Sequence, residues 1–148
     1  MAIARGAGTE IIRSHCFEDM STDTALIIGV QHHIYTVLSI IIYANALNSS
    51  ASNAQVYLSA YDAYGAVTLE NIEMFYAKPQ VGETFVWDNK FSFNGGEPTD
   101  FTGAMDSAAD QDLIVDQAVD NHQVLRLAPS NAGDDYNVIV TFIDQNNS

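Results

Sequence analysis

Residues 34–47 constrain the fold more than any other part of the sequence. They read Ile-Tyr-Thr-Val-Leu-Ser-Ile-Ile-Ile-Tyr-Ala-Asn-Ala-Leu, and β-branched and aromatic residues of this kind favour strand over helix. Because both alternating faces carry bulk, the segment is predicted to be a central strand with packing partners on either side. Strict alternation places on one face Tyr35, Val37, Ile41 and Tyr43, and on the other Ile34, Leu38, Ile40, Ile42 and Ala44.

Shorter runs of the same character recur along the chain, separated by turn residues. The Asp88-Asn89 pair is predicted to form a bulge or a tight hairpin within one of them. Roughly eight short strands, with turns about every 8–15 residues, indicate an all-β antiparallel sandwich of jelly-roll-like type. Besides residues 34–47, strands are predicted for residues 24–30, 55–62, 67–76, 83–93, 124–127 and 136–143. In the last strand the inward residues are predicted to be Tyr136, Val138, Val140 and Phe142, or Ile139 and Ile143 if both faces are covered.

The first 20 residues differ from the rest and are predicted to form an extended arm, while residues 21–148 form the sandwich domain. An extended segment of 20 residues spans about 66 Å, whereas a domain of this size has a radius of gyration of roughly 15 Å. The arm could therefore lie across a neighbouring subunit. An edge strand on its own domain and a disordered tail are the alternatives. The predicted subunit-contact residues are Arg5, Glu10, Ile11, Ile12 and Arg13.

Composition excludes some functions. The chain has 19 acidic and 5 basic residues, a net charge of −14, whereas nucleic-acid binding needs clustered Lys and Arg. The longest apolar stretch is shorter than the ~20 residues of a membrane helix. No nucleic-acid or membrane partner is therefore expected. Only 16% of residues are charged, against a typical ~25%, and a surface poor in charge suits subunit contacts.

Motifs that carry chemistry are absent from the sequence. There is no phosphate-binding loop, no nucleophile elbow and no metal-ligand spacing. His32-His33 would diverge on a strand, and Cys16, as the single cysteine, cannot form an intrachain disulfide. Residues 100–121 are predicted to be an acidic loop insertion, with a solvated loop favoured over a calcium site. We therefore expect no enzyme activity, no cofactor and no metal.

Three stretches carry a family resemblance. They are residues 33–39 (His-Ile-Tyr-Thr-Val-Leu-Ser), residues 81–88 (Val-Gly-Glu-Thr-Phe-Val-Trp-Asp) and residues 136–144 (Tyr-Asn-Val-Ile-Val-Thr-Phe-Ile-Asp). Over residues 34–143 the chain resembles small virion structural proteins of tailed bacteriophages, particularly marine and cyanobacterial phages. It departs from them at the turn of residues 79–83, Pro-Gln-Val-Gly-Glu.

The resemblance implies a non-catalytic sandwich that is multimeric on a particle. The expected function is a virion subunit that stabilises the particle by packing, first as a capsid decoration protein, alternatively in the neck, tail or baseplate. The expected partners are copies of itself, with a trimer among the options, and other virion proteins such as the major capsid protein. The expected location is the virion, assembled in the host cytoplasm. The rival function is a carbohydrate-binding sandwich, with a sugar face formed by Tyr57, Tyr61, Tyr64, Tyr76 and Trp87.

Overall fold

The computed structural model describes residues 9–30, 32–61, 69–96 and 122–146. Within these ranges the chain forms strands and no helix, so the all-β prediction is confirmed. The predicted acidic loop of residues 100–121 lies outside the described residues. The strands are β1 Thr9–Met20, β2 Thr24–Ile28, β3 His33–Ala46, β4 Ala54–Tyr61, β5 Leu69–Ala77, β6 Thr84–Trp87, β7 Phe91–Asn94, β8 Val124–Pro129 and β9 Asp135–Asn146.

The strands form two antiparallel sheets. Sheet I has the order β1-β9-β3-β6, with β7 also paired to β3, and sheet II has the order β2-β8-β4-β5. Trp87 of β6 pairs with Ile40 and Phe91 of β7 pairs with Val37. Three residues, 88–90, therefore lie opposite two residues of β3, 38–39. The two short strands together form one edge strand with a bulge, as the Asp88-Asn89 pair predicted. Counted in this way, the eight strands follow the order of a jelly roll.

Strands β3 and β9 form the middle of sheet I, and their inward side chains meet sheet II in the core. The predicted inward residues of β9 are all buried. The prediction for β3 was wrong in its second half, because a register shift between Val37 and Ser39 switches the faces. Ile40 and Ile42 therefore point into the core, and Ile41 and Tyr43 point outward. The largest fully buried side chains are Tyr136, Phe142, Leu26, Ile27, Ile40, Ile42, Leu125, Leu127, Val37 and Val56.

At one end of the sandwich the backbones of three segments cross in close contact. The Gly29 amide donates to the Gln123 carbonyl at 2.9 Å, and the Gln123 amide donates to the Gly95 carbonyl at 2.8 Å. A Cβ on Gly29 would lie 2.2 Å from the Gly95 oxygen, and one on Gly95 would lie 2.0 Å from the Val30 oxygen. Only glycine fits at these two positions, and the crossing ties sheet II to the end of β7.

Strand β1 corrects the predicted division of the chain at residue 20. It pairs antiparallel with β9 of the same chain over nearly its whole length, so residues 9–20 belong to the sandwich and follow the edge-strand alternative. The pairing is unbroken from Thr9 to Phe17 and shifts before Met20. Asp19 adopts a positive φ of 55° at this shift, and its amide donates to the Asn137 side chain at 3.0 Å.

Candidate functional site

The four edge strands of the two sheets differ in how they are protected against pairing with another chain. Strand β2 is short and has a register shift. Strand β5 has a register shift and carries Glu70 and Glu73, while the bulge between β6 and β7 carries Asp88 and Lys90. Short length, bulges and edge charges are the devices that natural sheets use to prevent edge pairing. Over residues 10–17, strand β1 is long and regular and contains neither proline nor lysine. Its two charged residues are Glu10, at the end of this stretch, and Arg13, which pairs with Asp144 of the same chain.

A groove of about 610 Å³ lies beside the inward face of β1, between it and β2. Because edge strand β1 of sheet I and edge strand β2 of sheet II do not close against each other here, the inward side chains of β1 face the groove. Its apolar wall includes Ile28, which is 61% exposed, and Val30, which is 48% exposed. Its floor is formed by Tyr35 and Phe142, whose ring centroids are 5.9 Å apart.

One end of the groove is polar and is organised around a buried carboxylate. Asp144, 1% exposed, lies on the inward face of β9. His33 Nδ1 donates to Asp144 Oδ1 at 2.7 Å, and Arg13 Nη1 donates to Asp144 Oδ2 at 3.3 Å. The His33 ring stacks on Tyr35, whose hydroxyl accepts a hydrogen bond from the Val30 amide at 3.0 Å. The groove therefore has a rigid polar end and an apolar middle.

His15 spans the groove and limits its depth. Its Nδ1 donates to the Leu26 carbonyl of β2 at 3.0 Å, and its ring makes an edge contact with Phe142 at 5.0 Å between centroids. This hydrogen bond joins the edge of sheet I to the edge of sheet II. Cys16, the next residue, pairs with Ile139 on the outer face of the sheet, so the thiol and the imidazole point in opposite directions, as strand alternation predicts.

Ser14 and the two histidines of the groove lie on different faces of sheet I. Ser14 points to the outer face, where its hydroxyl is 2.9 Å from that of Thr141, so it is not beside His15 or His33. Within the described ranges no group of three or more His, Cys, Asp or Glu side chains is placed to hold a metal ion. Nor do those ranges contain a helix of the length and apolarity that crossing a bilayer requires.

The structure places the predicted subunit-contact residues on two opposite faces of β1. Glu10 and Ile12 point to the outer face of sheet I, and Ile12 is 72% exposed. Ile11, 39% exposed, and Arg13 point to the inner face of the sheet, where Arg13 lines the groove. Arg13 is engaged within its own chain through Asp144, which the sequence analysis did not anticipate. Arg5 lies outside the described residues.

The aromatic residues of the carbohydrate hypothesis do not share one face. Trp87 points inward and stacks on Phe75 at 4.1 Å and 8°, whereas Tyr76 is 56% exposed on β5 of the other sheet. The Tyr57 hydroxyl donates a hydrogen bond to the Asp23 carboxylate. Tyr64 lies outside the described residues, as do Asp106, Asp110, Asp112, Asp116 and Asp120.

His32 and Asp134 have local structural roles. His32 adopts a positive φ of 70° in the turn before β3, so it does not join His33 at one ligand site. Asp134 is fully buried and accepts hydrogen bonds from the Asn48 amide at 2.8 Å and the Asn131 amide at 3.1 Å. Its carboxylate therefore holds the turn before β9 against the end of β3.

Two tyrosines titrate at unusually high pH. Burial, followed by the hydrogen bond to Asp23 and the charge of that carboxylate, raises the pKa of Tyr57 to about 12. Burial, followed by the charge of Asp134, raises the pKa of Tyr136 to about 12. Neither tyrosine lines the groove. Their raised pKa values therefore reflect burial within the sandwich and say nothing about the groove.

The sequence analysis missed the cluster of Asp144, His33 and Arg13. One signal was present: Asp144 continues the inward alternation of β9 after Phe142, and a carboxylate in an inward position needs a cationic or hydrogen-bonding partner. His33 and Arg13 lie more than a hundred residues away in sequence, and only the strand order β1-β9-β3 brings them to the same carboxylate.

Comparisons with known proteins add one distant likeness. No family model matches the chain, and no curated protein matches it. Among solved structures, the chain is similar to one described under the words "Bacillus endospore appendages form a novel family of disulfide-linked pili". The two share 11% identity and a TM-score of 0.39 over 100% of this chain and 97% of that one. At this level of similarity the pilus carries no information on the function of this chain.

Proposed function

We propose that this chain is a non-enzymatic structural subunit whose sandwich is completed along β1 by a strand of a neighbouring subunit. The observation that carries the proposal is the combination of a long, regular edge strand and an adjacent open groove. In strand addition, backbone hydrogen bonds supply affinity and alternate side chains enter pockets that supply specificity. Both elements lie side by side at β1.

The free energy of association requires both the edge strand and the groove. Pairing along residues 10–17 would form about eight backbone hydrogen bonds worth ~1 kcal/mol net each. Association costs about 4–15 kcal/mol in lost freedom, so backbone pairing alone is marginal. Burial of the exposed side chains of Ile11, Ile28 and Val30 would add about 1 kcal/mol or more for each. A strand that enters the groove is therefore favoured over one that pairs with the edge alone.

The finer proposal is a virion subunit of a tailed bacteriophage, most readily a capsid decoration protein. Its support is the resemblance of the three strand motifs, together with the low charge content and the absence of catalytic motifs in the sequence. Neck, tail and baseplate positions are alternatives within the same class. The partners would be copies of the chain and other virion proteins, such as the major capsid protein.

The edge proposal is tested by placing a charge at β1. We expect Ile11→Lys to reduce the mass of the assembled protein in sedimentation velocity, because a lysine on an edge strand opposes pairing. Ile72→Lys is the matched control: it makes the same change on edge strand β5, where Ile72 is 52% exposed. Equal assembly by both variants would contradict the proposal.

The virion proposal has its own test. Phage particles that lack this protein should lose resistance to heat or osmotic shock, because binding to the assembled shell stabilises it by mass action. Unchanged resistance would argue against the decoration role.

A further inference from the structure

The outer face of sheet I has no charged side chain across its centre. We call this region the neutral face, defined by the outward positions of residues 34–43 on β3, 84–94 on β6 and β7 except the bulge, and 137–145 on β9. None of these outward positions is Asp, Glu, Lys or Arg. In a chain with a net charge of −14, such a region is unexpected for a surface that meets only water.

Apolar side chains form a continuous row across this face. The register aligns Cys16 of β1 with Ile139 of β9, Ile139 with Ile41 of β3, and Ile41 with Val86 of β6. Val86 is 54% exposed and Ile139 is 39% exposed. Ile34, Tyr43 and Ile12 are further exposed apolar residues on the same side of the sheet.

Several polar groups of the neutral face are already paired, either with one another or with a residue at its border. Thr36 Oγ1 lies 2.9 Å from Ser92 Oγ across β3 and β7. Asn45 Nδ2 donates to Asn137 Oδ1 at 2.8 Å, and Asn137 Nδ2 returns a bond to Asn45 Oδ1 at 3.3 Å. Burying a polar group costs most when it loses its hydrogen bonds. Groups that bond within the face keep those bonds when another surface covers it.

The outer face of sheet II is different. There Glu73 and Arg126 flank Tyr57 in register, and Arg126 is paired with Asp23 at 3.6 Å. Covering this face would require charged groups to be desolvated, which is costly unless each one is matched. The two outer faces of one sandwich therefore differ in whether they are suited to burial.

We infer that the neutral face is a contact between two copies of this chain, packed sheet against sheet. A strongly acidic chain repels its own copies, and like charges facing each other cost several kcal/mol. An identical copy can approach with little penalty through a face that carries no charge. A contact of this kind is self-complementary about a two-fold axis, and stacked sheets pack about 10 Å apart.

The face is large enough for a weak, concentration-dependent contact. Its three strand positions, spaced about 4.8 Å apart with about nine residues at 3.4 Å each, cover roughly 440 Å² per copy. Two copies would bury roughly 900 Å² in total, which is the size of weak or transient interfaces. This second contact rests on the proposed function in that both require self-association, but it uses a surface other than the β1 edge.

The test compares Ile139→Glu with Ile72→Glu, the same change on the other sheet. In sedimentation velocity over a range of concentrations, Ile139→Glu should raise the dissociation constant of one self-association step about 100-fold or more. The reason is that each copy brings a carboxylate to the same dry contact. Ile72→Glu should leave that constant within about two-fold. Val86→Glu repeats the test on an edge strand, should Ile139→Glu fail to fold.

Alkylation of the native thiol gives a second readout. Cys16 is exposed at the β1 end of the apolar row, so in the associated wild-type protein it should react more slowly than in Ile139→Glu. Equal masses and equal Cys16 reactivity for Ile139→Glu and Ile72→Glu would overturn the inference. The edge proposal would still stand if Ile11→Lys alone reduced assembly. A wild-type protein that is monomeric at every concentration would overturn both.

Discussion

The two long sides of the sandwich, where an edge of sheet I faces an edge of sheet II, are built differently. Between β5 and β6 the gap is filled by a stack of aromatic rings: Trp87 lies on Phe75, and Phe85 lies 6.0 Å from Phe75 on the same side. Between β1 and β2 the gap is an open groove with a polar cluster at one end. The first side is closed by its own residues, and the second leaves apolar side chains exposed.

Under the proposed function, this difference separates the residues that stabilise the fold from those that mediate assembly. Aromatic side chains bury large areas and close the β5 side without a partner. On the β1 side, the hydrogen bonds of His15 and Asp144 fix the positions of the strands but leave Ile28 and Val30 exposed. Changes on the closed side should therefore affect folding, and changes on the open side should mainly affect association.

The largest expected effect comes from opening the closed side. Trp87→Ala should lower the free energy of unfolding by about 3 kcal/mol, because it removes the ring that stacks on Phe75 and leaves a cavity. Urea denaturation measures the change. His15→Ala, the matched truncation on the open side, should cost about 1 kcal/mol for one hydrogen bond and a partly exposed ring. Similar losses for both variants would remove the distinction between the two sides.

A smaller loss is expected when the polar end of the groove is disrupted. Asp144→Asn keeps the shape of the side chain but removes the charge that pairs with Arg13 and His33. Because Arg13 is 48% exposed and can be solvated, we expect a loss of about 2 kcal/mol in unfolding free energy rather than the full cost of a buried pair. Asp88→Asn, an exposed change in the bulge of the closed side, should cost under about 0.5 kcal/mol.

A change in the wall of the groove should separate association from stability. Ile28→Thr should alter the free energy of unfolding by less than about 0.5 kcal/mol, because Ile28 is 61% exposed. It should weaken self-association about ten-fold, through the loss of roughly 1.4 kcal/mol of apolar burial by the incoming strand. Val81→Thr, at 60% exposure in a turn, is the control. A control that weakens association equally would speak against the groove as the contact.

The last prediction concerns high pH and tests the framework shared by the two sides. Tyr136 has a folded-state pKa of about 12 against an ordinary 10.0, so the folded state holds this proton more tightly than the unfolded state. Its contribution is complete below pH 10 and is lost as the pH rises toward 12. Tyr136→Phe should therefore reduce the decline in stability between pH 10 and 12, as followed by urea midpoints. An unchanged decline in Tyr136→Phe would contradict this cause.

The sequence predicted the fold class and most of the strand positions along the chain, because alternating β-branched residues and turn signals are local features. Residues 136–143 gave the correct inward face, since β9 has no bulge there. The inward face of β3 was predicted wrongly after Val37, because a single extra residue reverses alternation and leaves no local signature.

The arm and the candidate site depended on contacts between distant segments. Thr9–Met20 forms an edge strand because β9 offers it a partner, and the local sequence of this segment does not identify that partner. The groove and its cluster arise from strand order, since Arg13 and Asp144 meet only when β1 pairs with β9. The neutral face likewise becomes visible only when the registers of four strands are aligned.

Hydrogen exchange at β1 tests the central claim most directly. Amides of a peptide spanning residues 10–17 should exchange more slowly in concentrated, assembled protein than in dilute protein, because a neighbouring strand would pair with the outer edge of β1. A peptide from edge strand β5 should exchange at the same rate in both samples. Equal exchange of the β1 peptide in assembled and dilute protein would contradict the claim that another subunit completes this edge.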